Sequence, residues 1–86
     1  MNAPEHPESF IIWHTPVSVR IGHGQPELIN SPHEGLSYLK TRWPIERADK
    51  YAAAKRACEA AIDRKGSSQV AREAFIAAAI EANLLA

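Results

Sequence analysis

The sequence has few of the residues that build metal sites, disulfides or membrane spans. Cys58 is its single cysteine, so no disulfide can form within the chain and no cysteine-based zinc site is available. The spacings of the four histidines fit no metal-site pattern; they are His6, His14, His23 and His33. No apolar run approaches the roughly 20 residues that a membrane-spanning helix needs. The sequence therefore predicts neither a metal, a cofactor nor a membrane segment.

Net charge and targeting signals are also lacking. Ten basic and ten acidic residues balance to a formal net charge of zero, so overall charge does not favour a nucleic-acid or membrane partner. Residues 1–9 are acidic and contain two prolines, without the basic region and apolar run of a signal peptide. We expect this stretch to be a disordered tail, and we expect the protein to be cytoplasmic.

Residues 10–29 carry the strand pattern of the sequence. Apolar and polar residues alternate over 17–21, which is typical of a half-buried strand. The glycines at 22–24 indicate a turn, and residues 25–29 can return as a second strand. The apolar run at 10–13 can add a third. The pattern predicts a small antiparallel β-hairpin or a three-stranded sheet.

The first helix has the clearest local signal in the chain. Ser31 can cap the helix, Pro32 suits its first position, and Glu34 completes a capping box. Pro44 is expected to end the helix, because a proline disfavours the α conformation of the residue before it. Gly35 lies in its interior and costs about 1 kcal/mol relative to alanine, so we expect a weak helix.

Two alanine-rich helices follow, over about 46–65 and 69–83. Gly66 is a natural terminator for the first of them. The three helices are expected to pack on one face of the sheet, giving a single α+β domain over residues 10–86.

Four residues on the apolar faces of these helices are predicted to share one core: Leu39, Trp43, Cys58 and Phe75. A cysteine in such a position usually behaves as a small buried hydrophobe. Because no nucleophile, base and acid occur together in a recognisable pattern, we expect no enzymatic activity.

Several motifs resemble domain-of-unknown-function family 982, a family of short uncharacterised bacterial proteins. The matching features are Trp13 followed by Pro16-Val17-x-Val19, then Leu39-x-x-x-Trp43-Pro44, the lone Cys58, and Ala71-Arg72-x-Ala74-Phe75-Ile76-x-Ala78-Ala79-x-Glu81-Ala82. The resemblance covers most of the predicted domain. It implies no activity, cofactor or catalytic residue.

The last helix carries more apolar surface than one packing stripe needs. We interpret Ile76, Ile80 and Leu84 as a candidate interaction surface, and Arg72 as a candidate contact for an anion or a partner carboxylate. These residues predict a non-enzymatic protein-interaction module with an unidentified protein partner or a second copy of the chain as its occupant. The alternative is a central helix whose two stripes both face its own domain.

The alternative function is a nucleic-acid-binding accessory protein that uses the basic segment 40–65. Residues 40–65 contain eight basic and four acidic residues. The acids are interleaved with the bases, and no recognition-helix motif is present. We therefore expect no specific nucleic-acid binding.

Overall fold

Two short strands and three helices follow one another along the chain. The computed structural model describes residues 12–44 and 47–86. The elements are β1 (Val17–Val19), β2 (Glu27–Ile29), α1 (Pro32–Thr41), α2 (Asp49–Ile62) and α3 (Ser68–Glu81). This order confirms the predicted α+β class. The expected tail, residues 1–9, and the start of the apolar run lie outside the described residues.

Strands β1 and β2 form the predicted antiparallel hairpin. Val17 is paired with Ile29, and Val19 with Glu27. Successive side chains of a strand point to opposite faces of the sheet. Accordingly Val17, Val19 and Ile29 are buried, whereas Leu28 between them is 61% exposed. The hairpin therefore has one face against the helices and one face open.

A third chain segment joins the sheet from an unexpected position. Among the described residues, 12–16 contain no strand. Instead Leu85 forms an antiparallel bridge with Val19, on the side of β1 away from β2. The predicted order of elements missed this pairing, because it joins residues from opposite ends of the sequence.

Helix α1 begins with the predicted cap. The Ser31 hydroxyl accepts a hydrogen bond from the Glu34 backbone N–H at 3.1 Å. The Glu34 carboxylate reaches back to the backbone N–H of Asn30 at 2.7 Å, one residue beyond the partner in a standard capping box. The helix ends at Thr41, earlier than the predicted limit at Pro44.

Helix α2 is shorter than predicted and ends at Ile62. Arg64 adopts the left-handed conformation, with φ of 63°, and the Lys65 N–H donates to the carbonyl of Ala60 at 2.8 Å. This hydrogen bond is typical of a Schellman end. The prediction that Gly66 would terminate the helix was wrong, since Arg64 takes that role. A side chain at Gly66 would instead clash, because its Cβ would lie 2.9 Å from the Cβ of Ala60.

The start of α2 is capped from another helix. Its N-cap residue, Ala48, has no side chain that can accept a hydrogen bond. The carboxylate of Glu81, at the end of α3, accepts from the backbone N–H of Lys50 at 3.1 Å. Helices α2 and α3 therefore run antiparallel. The start of α2 is capped only while the end of α3 is folded beside it.

Phe75 is at the centre of the core. Its ring lies 6.0 Å from that of Trp13 and 5.8 Å from that of Trp43, measured between centroids. Leu39 and Cys58 are fully buried in the same cluster, and Trp43 is 6% exposed. The predicted four-residue core is thus confirmed, with Trp13 as a further member.

Gly35 is where α1 meets this core most closely. A Cβ at this position would lie 3.4 Å from Phe75, 3.4 Å from Trp13 and 3.5 Å from Cys58. These distances are at the short end of van der Waals contact, so an alanine methyl group would touch all three neighbours without a clash. The glycine lets α1 lie near the aromatic rings but leaves a small gap.

We expect Phe75→Ala to lower the free energy of unfolding by about 3–5 kcal/mol, because it removes the ring that both tryptophans contact. Thermal unfolding followed by circular dichroism measures the effect. Val70→Ala, on the exposed side of the same helix, is the control and should change stability by less than about 0.5 kcal/mol. Equal melting of Phe75→Ala and wild type would contradict this core.

We expect Gly35→Ala to raise stability by about 0.8–1 kcal/mol, because alanine favours the helix and its methyl group fits the space. For a domain of this size, this gain corresponds to an increase in Tm of roughly 4–8 °C. Gly35→Leu is the opposing variant and should lower Tm by overpacking the core. A lower Tm for Gly35→Ala would mean that the approach of α1 is tighter than the distances indicate.

Candidate functional site

The solvent side of α3 carries large aliphatic side chains. Ile80 is 60% exposed and Val70 is 55% exposed. Ile76 and Ala77 are half-buried beside them. We call these four residues the α3 patch. Isoleucine and valine thus occupy positions on the solvent side of this helix where charged or polar residues are usual.

Leu84 does not belong to this surface, and that part of the prediction was wrong. Helix α3 ends at Glu81, and Asn83 adopts the left-handed conformation with φ of 61°. The Leu84 N–H then donates to the carbonyl of Ala79 at 2.7 Å. This Schellman turn reverses the chain and places Leu84 in the core, where it is only 4% exposed. Asparagine favours this conformation, so Asn83 was a signal that the helical extrapolation overlooked.

Arg72 contacts the chain itself. Its Nε donates a hydrogen bond to the backbone carbonyl of Thr15 at 2.8 Å. The contact fastens the segment before β1 to α3. It gives Arg72 a structural role, and its predicted contact with an anion or a partner carboxylate stays a prediction.

A second surface feature is the groove between β2 and α1, with a volume of about 410 Å³. We call it the β2–α1 groove. The lining residues are Glu27, Leu28, Ile29, Asn30, Glu34, Ser37, Tyr38, Thr41 and Arg42. Its volume lies within the range of about 300–1,000 Å³ found for ligand clefts. No sequence motif pointed to this groove.

One end of the groove is closed by an ion pair. The Arg42 guanidinium binds the Glu27 carboxylate through two hydrogen bonds, one of them 3.2 Å long. The hydrogen bond and charge of Glu27 raise the pKa of Arg42. The guanidinium also lies 5.2 Å from the centre of the Tyr38 ring. The pair joins a strand to the end of a helix, which local sequence patterns do not reveal.

Tyr38 is buried beneath this ion pair. It is 4% exposed, and its hydroxyl has no hydrogen-bond partner among the described residues. Burial, followed by the negative charge of Glu27, raises the pKa of its phenol. A buried hydroxyl without a partner is unusual and marks a place where an added acceptor would be favourable.

The structure shows where the potential metal ligands and the cysteine of the described residues lie. No group of three or more histidine, cysteine, aspartate or glutamate residues within 12–44 and 47–86 is arranged to hold a metal ion. Cys58 is fully buried, and desolvation raises the pKa of its thiol to about 12, with a smaller contribution from Glu59. No helix in the described ranges is long and apolar enough to cross a membrane.

Comparison with known proteins confirms the resemblance seen in the sequence. A family model described as "Protein of unknown function (DUF982)" matches residues 15–86. The NMR structure of Agrobacterium tumefaciens protein Atu1219, a Northeast Structural Genomics Consortium target, is similar with a TM-score of 0.73. It shares 31% sequence identity, over 88% of this chain and 76% of that chain. A search of curated proteins finds no match.

We expect Cys58 to react slowly with a thiol reagent at pH 8, because its thiol is both buried and held protonated. Labelling followed by mass spectrometry should proceed at the rate at which the domain opens, and faster in Phe75→Ala. The same protein unfolded in urea supplies the reference rate. Equal rates in the folded and unfolded protein would show that the thiol is accessible.

Proposed function

We propose that this chain, which belongs to the DUF982 family of proteins of unknown function, acts as a non-enzymatic protein-interaction module. The observation that carries the proposal is the exposure of Ile80 and Val70 on the same side of α3. Exposed apolar surface of this kind commonly marks a contact site.

Helix α3 offers a rigid support for such a contact. Its inner side, with Phe75 and three alanines, is packed into the core, and its start is capped by the Ser67 hydroxyl, which accepts from the N–H groups of Gln69 and Val70. The outer side therefore keeps its shape when a partner binds. Little ordering is required, and this reduces the cost of binding.

The charges beside the α3 patch indicate the kind of partner. Glu73 is exposed between Val70 and Ile80. A partner with an apolar cleft and basic groups at its rim would match both features. A standard interface buries roughly 800 Å² on each side, so the patch would form the centre of a larger contact. A second copy of the chain is the other occupant to be tested.

The alternative, nucleic-acid binding by residues 40–65, has less support. Arg42 is paired with Glu27, and the Arg47 guanidinium lies 5.0 Å from the centre of the Tyr51 ring. Arg64 also interacts within the chain. Basic side chains that are engaged in this way would have to be released to contact phosphate groups. This cost favours the protein-interaction proposal.

The test of the proposal is Ile80→Lys. Its exposed position predicts that the fold is retained, with a change in stability of less than about 0.5 kcal/mol. We expect a partner that is captured from native extract by the wild-type protein to be lost with this variant. Sedimentation of the purified proteins shows whether that partner is a second copy.

Gln69→Lys is the matched control, because it adds the same charge to the same helix without removing an aliphatic side chain. It should retain the partner. A partner bound equally by wild type and Ile80→Lys would contradict the proposed surface. Collapse of the Ile80→Lys fold would contradict the exposed position of Ile80.

A further inference from the structure

We infer that the outer edge of β2 is a second binding site, which takes a short extended peptide of a partner protein as an added strand. This site uses different elements from the α3 patch, and it does not depend on the proposed function of that patch. Strand addition is a common mode of peptide recognition, in which backbone hydrogen bonds supply affinity.

The hydrogen bonds of β1 determine which groups of β2 face outward. The Arg20 N–H donates to the Leu84 carbonyl at 2.8 Å, and the Ala86 N–H donates to the Ser18 carbonyl at 2.9 Å. The backbone N–H and C=O groups of Ser18 and Arg20 therefore point away from β2. The backbone groups of successive residues in a strand point to opposite edges, so those of Val17 and Val19 point toward β2.

It follows that Leu28 points its backbone groups away from β1. Glu27 and Ile29 are the partners of Val19 and Val17, so the residue between them faces the opposite edge. Among the described residues, the Leu28 carbonyl accepts a single, long side-chain hydrogen bond, 3.4 Å, from Asn30. Its N–H has no acceptor within residues 12–44 and 47–86. Leu28 is therefore the unpaired residue of this edge, and an unpaired residue on a strand edge is a template for another strand.

The β2–α1 groove lies along this edge. Helix α1 runs back beside β2, since Glu34 contacts Asn30 at one end and Arg42 contacts Glu27 at the other. Because α1 forms the far wall of the groove, a segment reaches the edge of β2 only by entering between β2 and α1. A second sheet would bring its own neighbouring strand into the position of α1, so a lone peptide fits better than a second copy of the hairpin.

The charges in the groove indicate a basic peptide. Two carboxylates and one guanidinium line it, and the guanidinium of Arg42 is neutralised by Glu27. Glu34 accepts hydrogen bonds from Asn30 at the other end but has no cationic partner among the described residues, so the charged groups that line the groove sum to −1. The Tyr38 hydroxyl, which has no partner among the described residues, lies in the same wall beneath the Arg42–Glu27 pair. We therefore expect an extended segment that carries a lysine or arginine.

The addition should be short. Pro26, two residues before Leu28 on the same edge, has no N–H to offer. The N–H of Asn30 is already bonded to Glu34, and the Asn30 carbonyl accepts from the Trp13 backbone N–H at 2.7 Å. Leu28 is thus the single residue that can supply both a donor and an acceptor, and weak binding is expected.

The test uses a blocked heptapeptide of alternating threonine and valine with lysine at its centre. Amide-resolved NMR should place its contacts on β2 and on the side of α1 that lines the groove. Hydrogen exchange at the Leu28 amide should be fast in the free protein and at least tenfold slower with saturating peptide. A Leu28 amide that is already protected in the free protein would overturn the inference.

Two matched peptides separate backbone pairing from other attachment. Methylation of alternate nitrogens removes the backbone N–H donors of the peptide. We expect this change to weaken binding at least tenfold. Exchanging the central lysine for glutamate should weaken it several-fold. Absence of binding by the lysine peptide at millimolar concentration, or equal binding of the methylated peptide, would overturn the inference.

Protein variants complete the test. Leu28→Pro removes the outward N–H without removing a hydrogen bond between β1 and β2, and should weaken peptide binding at least tenfold. Leu28→Thr keeps the N–H and should bind as wild type does.

Ile80→Lys should also bind the peptide normally, so failure of the α3 patch and failure of this site are distinguishable. Self-association that slows exchange at Leu28 without peptide would replace the peptide by a second copy and overturn the inference.

Discussion

The packing of Phe75 against two tryptophans is the contact on which the rest of the structure depends. Trp13 comes from the segment before the sheet, Trp43 from the chain after α1, and Phe75 from α3. One ring thus holds together three parts of the chain that share no hydrogen-bonded ladder. Within residues 12–44 and 47–86, the buried apolar side chains form a single cluster, so this contact has no second core beside it.

Small residues around this contact let the helices pack closely about the aromatic rings. Gly35 brings α1 close to the rings, and the fully or nearly fully buried alanines Ala54, Ala61, Ala71 and Ala79 let α2 and α3 approach each other. These two helices form the most extensive contact between elements. Close packing of small side chains leaves little apolar area per residue in the interior. Because alanines occupy most of the inner side of α3, larger aliphatic residues such as Ile80 lie on its outer side.

Local signals in the sequence were sufficient for much of the fold. The cap at Ser31 and the alternation around Val17 depend on neighbouring residues alone, and both were predicted. The position of Leu84 was not, because a single left-handed residue at Asn83 breaks the helical period. The β2–α1 groove was also missed, since the pairing of Arg42 with Glu27 depends on how a helix end meets a strand.

The Glu81 carboxylate illustrates a conflict that tertiary structure resolves. At the C-terminal end of α3 its negative charge opposes that helix's own dipole, whereas at the start of α2 the same charge is favourable. Glu81 therefore weakens α3 when that helix is isolated. Its charge becomes favourable when α2 lies antiparallel beside α3, because the carboxylate then caps the start of α2. The start of α2 and the end of α3 should accordingly fray together, as one cooperative unit of local opening.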